Sequence, residues 1–355
     1  MAHYCARPNP MGATISIVED MRRGNADSTA GTVFVFPGQG SQWAEKAVEL
    51  LLSAPAFAEQ MRLCDAALAE FVDWSLLAVV QGSVGSPSLD RVDVVQPVLF
   101  AAAVSLAAHW RALGIAPDAV LGHSQGEIAA AYVAGAVSLR DAAKVVATRS
   151  KAIEAIAGAG GMVSVAWPIE QVHVLIERWR SAVSVAAQNG PSSTVVTGFA
   201  TALDDLMAVC ERDDVPATRI PVDYAVHSSQ VETLRESLRD ILSGLQPRTS
   251  DIAFISAVTG ARLDTSILDG DYWYANLRQP VLFEQAVRWS YDHGYRTFIE
   301  ASLHPILSTD ILESLQECGD DSGACRIDLP TYAFQRKSYS LDIAEPYAIA
   351  WDGDH

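Results

Sequence analysis

Hydrophobic and polar positions fall into two textures along this chain. Up to about residue 160, and again beyond 222, compact apolar runs alternate with stretches of helical period. Thr32-Val33-Phe34-Val35-Phe36 is uninterrupted and stops at Pro37-Gly38-Gln39-Gly40. That predicts a buried parallel strand ending in a tight loop. Ser41 stands where it can cap a helix in which Ala44, Ala47, Val48 and Leu51 share one face. A second long helical region covers about 97–113. Ala119-Val120-Leu121 is a short strand, followed by Gly122 and an alanine-rich helix. Helical text over about 228–246 and strands at 254–258 and 297–299 continue the series. Strands alternating with helices predict a parallel α/β sheet. Residues 1–30 mix Pro, Gly, Arg and Ser without a sustained period and read as a tail or linker.

Residues 161–222 differ. A strand at 162–167 is closed by Pro168, and Ile169, Val172, Ile176 and Trp179 then mark one helix face. Val183, Val185 and Ala187 alternate up to the turn signal Asn189-Gly190, and 193–199 reads as a third strand. Leu203, Leu206 and Cys210 mark a second helix face. Residues 215–222 read as a fourth strand, placed at an edge by Pro216 and Pro221. The order βαββαβ is the ferredoxin-like pattern, here a small subdomain inserted into a larger one.

Composition narrows the function. The chain has 355 residues, 50% of them apolar and 19% charged, enough for one large domain or two. A formal net charge of −18 repels phosphates, so a nucleic-acid coat or an anionic membrane surface is not the expected partner. The five cysteines are scattered, with no CxxC and no Cys/His cluster at metal spacing. Neither a disulfide scaffold nor a metal site is expected. The first 30 residues hold no long apolar signal region, and no uninterrupted apolar run reaches about 18 residues. The expectation is a soluble, cytoplasmic α/β protein.

The most informative stretch is Gly122-His123-Ser124-Gln125-Gly126, with a strand before it and a helix after it. This is G-x-S-x-G in the setting that gives it meaning: the glycines permit a sharp elbow, and the helix N-terminus offers N–H groups to a developing oxyanion. A serine needs a base. Among eight histidines, His227 follows the last strand of the inserted subdomain, where the chain returns to the larger one. From there it can reach a cleft between the two. On these residues alone, a serine hydrolase such as a thioesterase and an acyl transferase both remain open.

Further motifs bear on that choice and favour the transferase, with a serine thioesterase or hydrolase as the alternative. Residues 36–43 read FPGQGSQW, 122–127 GHSQGE, 147–150 ATRS, 189–193 NGPSS, 224–227 YAVH and 329–339 LPTYAFQRKSY. From about 32 to 341 the chain resembles the acyltransferase domains of modular type I polyketide synthases, relatives of the malonyl-CoA:acyl-carrier-protein transacylases. The resemblance implies a larger α/β-hydrolase-like subdomain with a short parallel sheet (31–160 and 223–328) and the ferredoxin-like insert (161–222). A post-acyltransferase linker (329–355) would lie over the surface. It implies Ser124 as nucleophile and His227 as general base. The oxyanion hole would be the backbone N–H groups of Gln39 and Gln125, and Arg149 would grip a substrate carboxylate. A main-chain carbonyl of Asn276 would orient His227, in place of the acid of a Ser–His–Asp triad. No bound cofactor is implied. The donor would be an acyl-CoA, and the acceptor the phosphopantetheine thiol of an acyl carrier protein, with a ketosynthase in the parent polypeptide.

Substrate choice is partly written in the same motifs. In this family a glutamine after the nucleophile, a YASH-type motif and an RVDVVQ segment accompany methylmalonyl, whereas a branched aliphatic and HAFH accompany malonyl. Here Gln125 and residues 91–96 (RVDVVQ, ending in Gln96) match the first set. Tyr224-Ala225-Val226-His227 departs from it at Val226, where serine is usual. Methylmalonyl is the expected extender, with ethylmalonyl, other 2-substituted malonyl groups and malonyl itself as alternatives.

Overall fold

The computed structural model describes residues 16–20, 31–38, 44–317 and 324–328. Gln39, the Ser41 cap and the 329–355 segment lie outside the described residues. In chain order the strands are β1 (Ser16–Asp20), β2 (Gly31–Phe36), β3 (Ala119–Gly122), β4 (Gly160–Val165), β5 (Val183–Gly190), β6 (Ser193–Phe199), β7 (Ala217–Ile220), β8 (Ala253–Ser256), β9 (Ala261–Leu263), β10 (Val281–Leu282), β11 (Tyr295–Glu300) and β12 (Ala324–Asp328).

They form two sheets. The larger runs β12-β1-β11-β2-β3-β8-β9. Its centre, β11-β2-β3-β8, is parallel, and antiparallel strands complete both sides. Val33 through Phe36 are completely buried, as a strand covered on both faces must be. Their side chains part by the strand period of two. Phe34 and Phe36 join one apolar cluster with Val120 and Phe254, and Val33 and Val35 join another with Ala119, Leu121 and Ile255. The helix Val92–Ala112 is long and apolar enough to cross a membrane, but 83% of its most apolar window is buried in the protein. It is a core helix.

The smaller sheet runs β10-β5-β6-β4-β7. β5, β6, β4 and β7 pair antiparallel, and β7 is the edge strand anticipated from its flanking prolines. Helices Ile169–Ile176 and Ala200–Arg212 supply Val172, Ile176, Leu203, Leu206 and Cys210 to a third cluster with Val163, Val165, Val185 and Val196. The β4–β7 stretch begins and ends at one place: the Asp223 carbonyl accepts from the Gly158 N–H at 2.9 Å and the Gly160 N–H at 3.1 Å.

Several expectations are corrected. Residues 16–20 are not linker: β1 joins the larger sheet, with Ile17 opposite both Ile299 and Ile327. Its partners come from the far end of the chain, so no local pattern announces it. The helix expected from about 97 begins at Val92 and carries Pro97 inside it. The region 228–246 is a 3-10 segment, Ser229–Leu234, followed by a helix, Arg235–Leu242. The smaller sheet also borrows a strand: β10, from the returning chain, pairs parallel with β5. Two residues are too few to show a period.

Candidate active site

The elbow sits at the carboxyl end of β3, in the middle of the parallel strands, where open α/β sheets keep their ligand crevices. Its sharpness depends on missing side chains. A Cβ on Gly122 would lie 2.2 Å from the Glu127 nitrogen, and one on Gly126 would lie 2.0 Å from the Phe36 carbonyl oxygen. The turn carries Ser124 into the left-handed region at φ 53°, and His227 is left-handed too at φ 60°. Neither is glycine, so both positions carry backbone strain of the kind that collects at functional sites. The helix Gly126–Ala134 starts directly after the elbow.

The structure brings four of the anticipated residues together. Ser124 Oγ and His227 Nε2 are 2.8 Å apart. Arg149, on the helix Leu139–Glu154, donates from Nη2 to Ser124 Oγ at 3.2 Å and from Nη1 to Gln96 Oε1 at 2.8 Å. Arg149 and Gln96 are both buried, and Arg149 Nε has no partner among the described residues. Burial pulls the guanidinium down to about 10, so it is still a cation at neutral pH.

The carbonyl that orients His227 is that of Gln279, not Asn276: His227 Nδ1 donates to Gln279 O at 2.7 Å. A carbonyl only accepts, so Nδ1 carries the proton and Nε2 presents a lone pair to the serine. The reason for the difference lies in the helix Gly270–Arg278. It ends at Arg278, and Gln279 turns to extended backbone with ψ 155°. That turn frees its carbonyl, whereas Asn276 lies within the helix. Burial first, and the Arg149 cation second, push His227 down to about 3 against the opposing pull of the Gln279 carbonyl. The imidazole is therefore neutral at pH 7.

The selectivity candidates divide. Gln125 is buried, and its Nε2 donates to the Gly38 carbonyl at 2.5 Å, tying the elbow to the loop after β2. Tyr224 and Val226 belong to the apolar cluster that includes Val92, Ile153 and Leu277. Ala225 is fully buried against Gly160, whose added Cβ would meet the Ala225 nitrogen at 2.6 Å.

Sequence reasoning missed several neighbours. The Asn276 side chain, not its carbonyl, serves the elbow: Nδ2 donates to the Ser124 carbonyl at 3.0 Å and to Glu127 Oε2 at 2.9 Å. Glu127, fully buried, also accepts from the Ala257 N–H at 2.6 Å and the Tyr272 hydroxyl at 2.7 Å. Burial raises its carboxyl to about 7 against these donors. His123 Nε2 donates to Asn189 Oδ1 at 2.8 Å, linking the residue before the nucleophile to the end of β5. Glu127 and Asn189 stood within the quoted motifs, but nothing local named their partners.

A family model described as "Acyl transferase domain" matches residues 33–334. Mycoketide-CoA synthase of Mycobacterium tuberculosis is 56% identical over 310 residues, 87% of this chain and 7% of that protein. Polyketide synthase GfsA of Streptomyces halstedii is 46% identical over 363 residues, 91% of this chain and 5% of that protein. The chain thus spans a small fraction of these curated relatives. Among solved structures, the acyltransferase domain from module 8 of the salinomycin polyketide synthase aligns with a TM-score of 0.79 at 56% identity, covering 81% of this chain and 68% of that one. The loading acyltransferase of the avermectin synthase aligns with a TM-score of 0.79 at 47% identity, covering 81% and 92%. The malonyl CoA-acyl carrier protein transacylase of Coxiella burnetii aligns with a TM-score of 0.73 at 26% identity, covering 80% and 90%. The family match runs from β2 to beyond β12. The chain belongs to the acyl transferase domain family of the polyketide synthases.

Proposed function

We propose that this domain moves a 2-substituted malonyl group, methylmalonyl foremost, from CoA to the phosphopantetheine thiol of an acyl carrier protein. The observation that carries the reading is a buried cation 3.2 Å from a serine oxygen that is itself 2.8 Å from a neutral imidazole. Ser124 Oγ attacks the thioester carbonyl while His227 Nε2 takes its proton. The carbon–sulfur bond breaks, and Nε2 returns the proton to the departing CoA sulfur. The carrier thiol then repeats the sequence on the Ser124 ester, which makes the kinetics ping-pong. The Gln125 N–H, at the head of a helix, is one oxyanion donor in this reading, and Gln39 the other. Arg149 receives the substrate carboxylate through its paired N–H groups.

A cation beside the nucleophile favours transfer of a dicarboxylic acyl group over thioester hydrolysis, which needs no such charge. The preference for methylmalonyl is supported by Gln125 and by Gln96, which holds Arg149 directly. Val226 is the departure from the methylmalonyl motif, and larger 2-substituents are the second choice it permits. We read the smaller sheet, with its β7-β4-β6-β5 order, as a ferredoxin-like insert. We assign the parent polypeptide to the cytoplasm, with a ketosynthase and a carrier protein as neighbouring domains.

Mass spectrometry of the intact protein, exposed to malonyl-, methylmalonyl-, ethylmalonyl- and propionyl-CoA together, tests the reading. The expected result is a methylmalonyl adduct on the wild type and none on Ser124→Ala. Arg149→Ala should lose the dicarboxylic adducts by about 30-fold or more, in line with about 2–5 kcal/mol for an unpaired buried charge, and accept propionyl comparatively better. An adduct of equal yield on Ser124→Ala sinks the proposal. Equal losses of propionyl and methylmalonyl in Arg149→Ala sink the carboxylate assignment.

A further inference from the structure

The residues that hold Ser124 and the residues that hold His227 converge on one short helix. Gly270–Arg278 carries Tyr272 and Asn276 four positions apart, hence on one face. From that face Asn276 Nδ2 donates to the Ser124 carbonyl at 3.0 Å, and Tyr272 and Asn276 both donate to Glu127 Oε2, at 2.7 and 2.9 Å. The other oxygen of Glu127 accepts from the Ala257 N–H at the end of β8, at 2.6 Å. The Tyr272 oxygen also lies 2.8 Å from Ser256 Oγ. Beyond that face, the end of the same helix holds the base. The Leu277 carbonyl accepts from the His227 backbone N–H at 2.9 Å, and the Gln279 carbonyl accepts from His227 Nδ1 at 2.7 Å.

We propose that Glu127 and Asn276 are positioning residues that fix Ser124 and His227 relative to each other, through this helix. The two reacting residues lie on segments far apart in the chain, and each is held in left-handed backbone. Left-handed conformations of non-glycine residues persist only where surrounding contacts over-determine them. The Glu127 N–H also donates to the Ser124 carbonyl, at 3.1 Å, but the contacts that reach both Ser124 and His227 from a single segment come from Asn276 and the three residues after it. Neither Glu127 nor Asn276 bonds to Ser124 Oγ or to the imidazole. Their influence passes through main-chain groups: the Ser124 carbonyl on one side, and the Leu277 and Gln279 carbonyls on the other. Ionised, above about 7, Glu127 offers acceptor sites to three donors at once. An amide at 127 would turn a donor toward at least one of them. The proposal rests on the acyl-transfer reading of the dyad and deepens it.

The test compares wild type, Asn276→Ala and Glu127→Gln with three readouts. These are single-turnover acylation by methylmalonyl-CoA across concentrations, the thermal midpoint, and the downfield proton resonance of His227 Nδ1–H. Misplacement on the order of 1 Å in a reacting pair costs about 10²-fold. The maximal acylation rate should therefore fall about 10- to 100-fold in each variant, with the half-saturating concentration within about twofold. The Nδ1–H resonance should shift or broaden. A variant that keeps the wild-type rate per folded molecule and the wild-type resonance, whatever its thermal midpoint, overturns the proposal. Glu127→Gln, which conserves volume, decides the matter if Asn276→Ala does not fold. Ser124→Ala run alongside separates the two readings. Its failure to acylate upholds the nucleophile regardless of the brace variants, and the resonance reports on His227 regardless of activity.

Discussion

His227 and Glu127 are both fully enclosed, and the fold shifts them in opposite directions. His227 is drawn from 6.5 to about 3 and Glu127 is lifted from 4.5 to about 7. Between about 3 and 6.5 the unfolded chain binds a proton at His227 that the folded site refuses, so this group makes stability rise with pH. Between 4.5 and about 7 the fold retains a proton on Glu127 that the unfolded chain has released, so that group makes stability fall with pH. Where the windows overlap the slopes cancel. Replacing His227 by Gln removes one of them. The stability difference, wild type minus His227→Gln by urea denaturation, should rise by up to about 1.4 kcal/mol per pH unit between pH 4 and 6. The same neutral imidazole implies that His227 adds no inflection near 6.5 to kcat/KM for acylation, which leaves Glu127, lifted to about 7, as the group whose titration shapes the profile there. A stability difference independent of pH would show that the buried ring takes up its proton at an ordinary pH.

The strand–elbow–helix element is where sequence and structure agree most closely, because its signal is local. Gly122 and Gly126 are dictated by backbone 2.2 and 2.0 Å from where a Cβ would stand, and backbone cannot step aside as a long side chain can. Gly126→Ala should cost about 1–3 kcal/mol or more as an overpacking substitution and lower the rate of active-site serine labelling. Gly244→Ala, where an added Cβ meets nothing within 4 Å, should stay within about 0.5 kcal/mol of wild type. Equal thermal midpoints for the two would contradict the steric account. What was not legible is non-local or main-chain in nature. Gln279 works through its carbonyl, which every residue type possesses, so no side chain marks it. Asn276 acts through its side chain and not its carbonyl, because helix geometry decides which of its atoms faces the elbow. β10 is two residues long, and β1 finds its partners beyond residue 294. Ser124, His227 and Arg149, by contrast, are chemically distinctive side chains in distinctive contexts, and they meet as their motifs imply.

At the scale of the whole molecule, the two sheets are tied at the β5 end of the smaller one. β10 pairs with β5 there, His123 bonds Asn189, Gln188 bonds Glu284 at 2.6 Å, and Ser192 bonds Glu313 at 2.9 Å. These contacts predict that the two parts unfold together. In hydrogen exchange with added denaturant, amides of β4 and β6 should lose protection at the same concentration as those of β2 and β3. Earlier loss from β4 and β6 would mean that the ties are too weak to couple the parts. The two ends of the β4–β7 stretch at Asp223, closed by the Gly158 and Gly160 N–H groups, bear on how such domains can be recombined. Two cut points that share one carbonyl give a transplanted insert a single narrow seam in the main chain. The compatibility of a graft is then decided elsewhere, along β5, where the cassette must still accept a borrowed strand and offer an asparagine to the histidine beside the nucleophile.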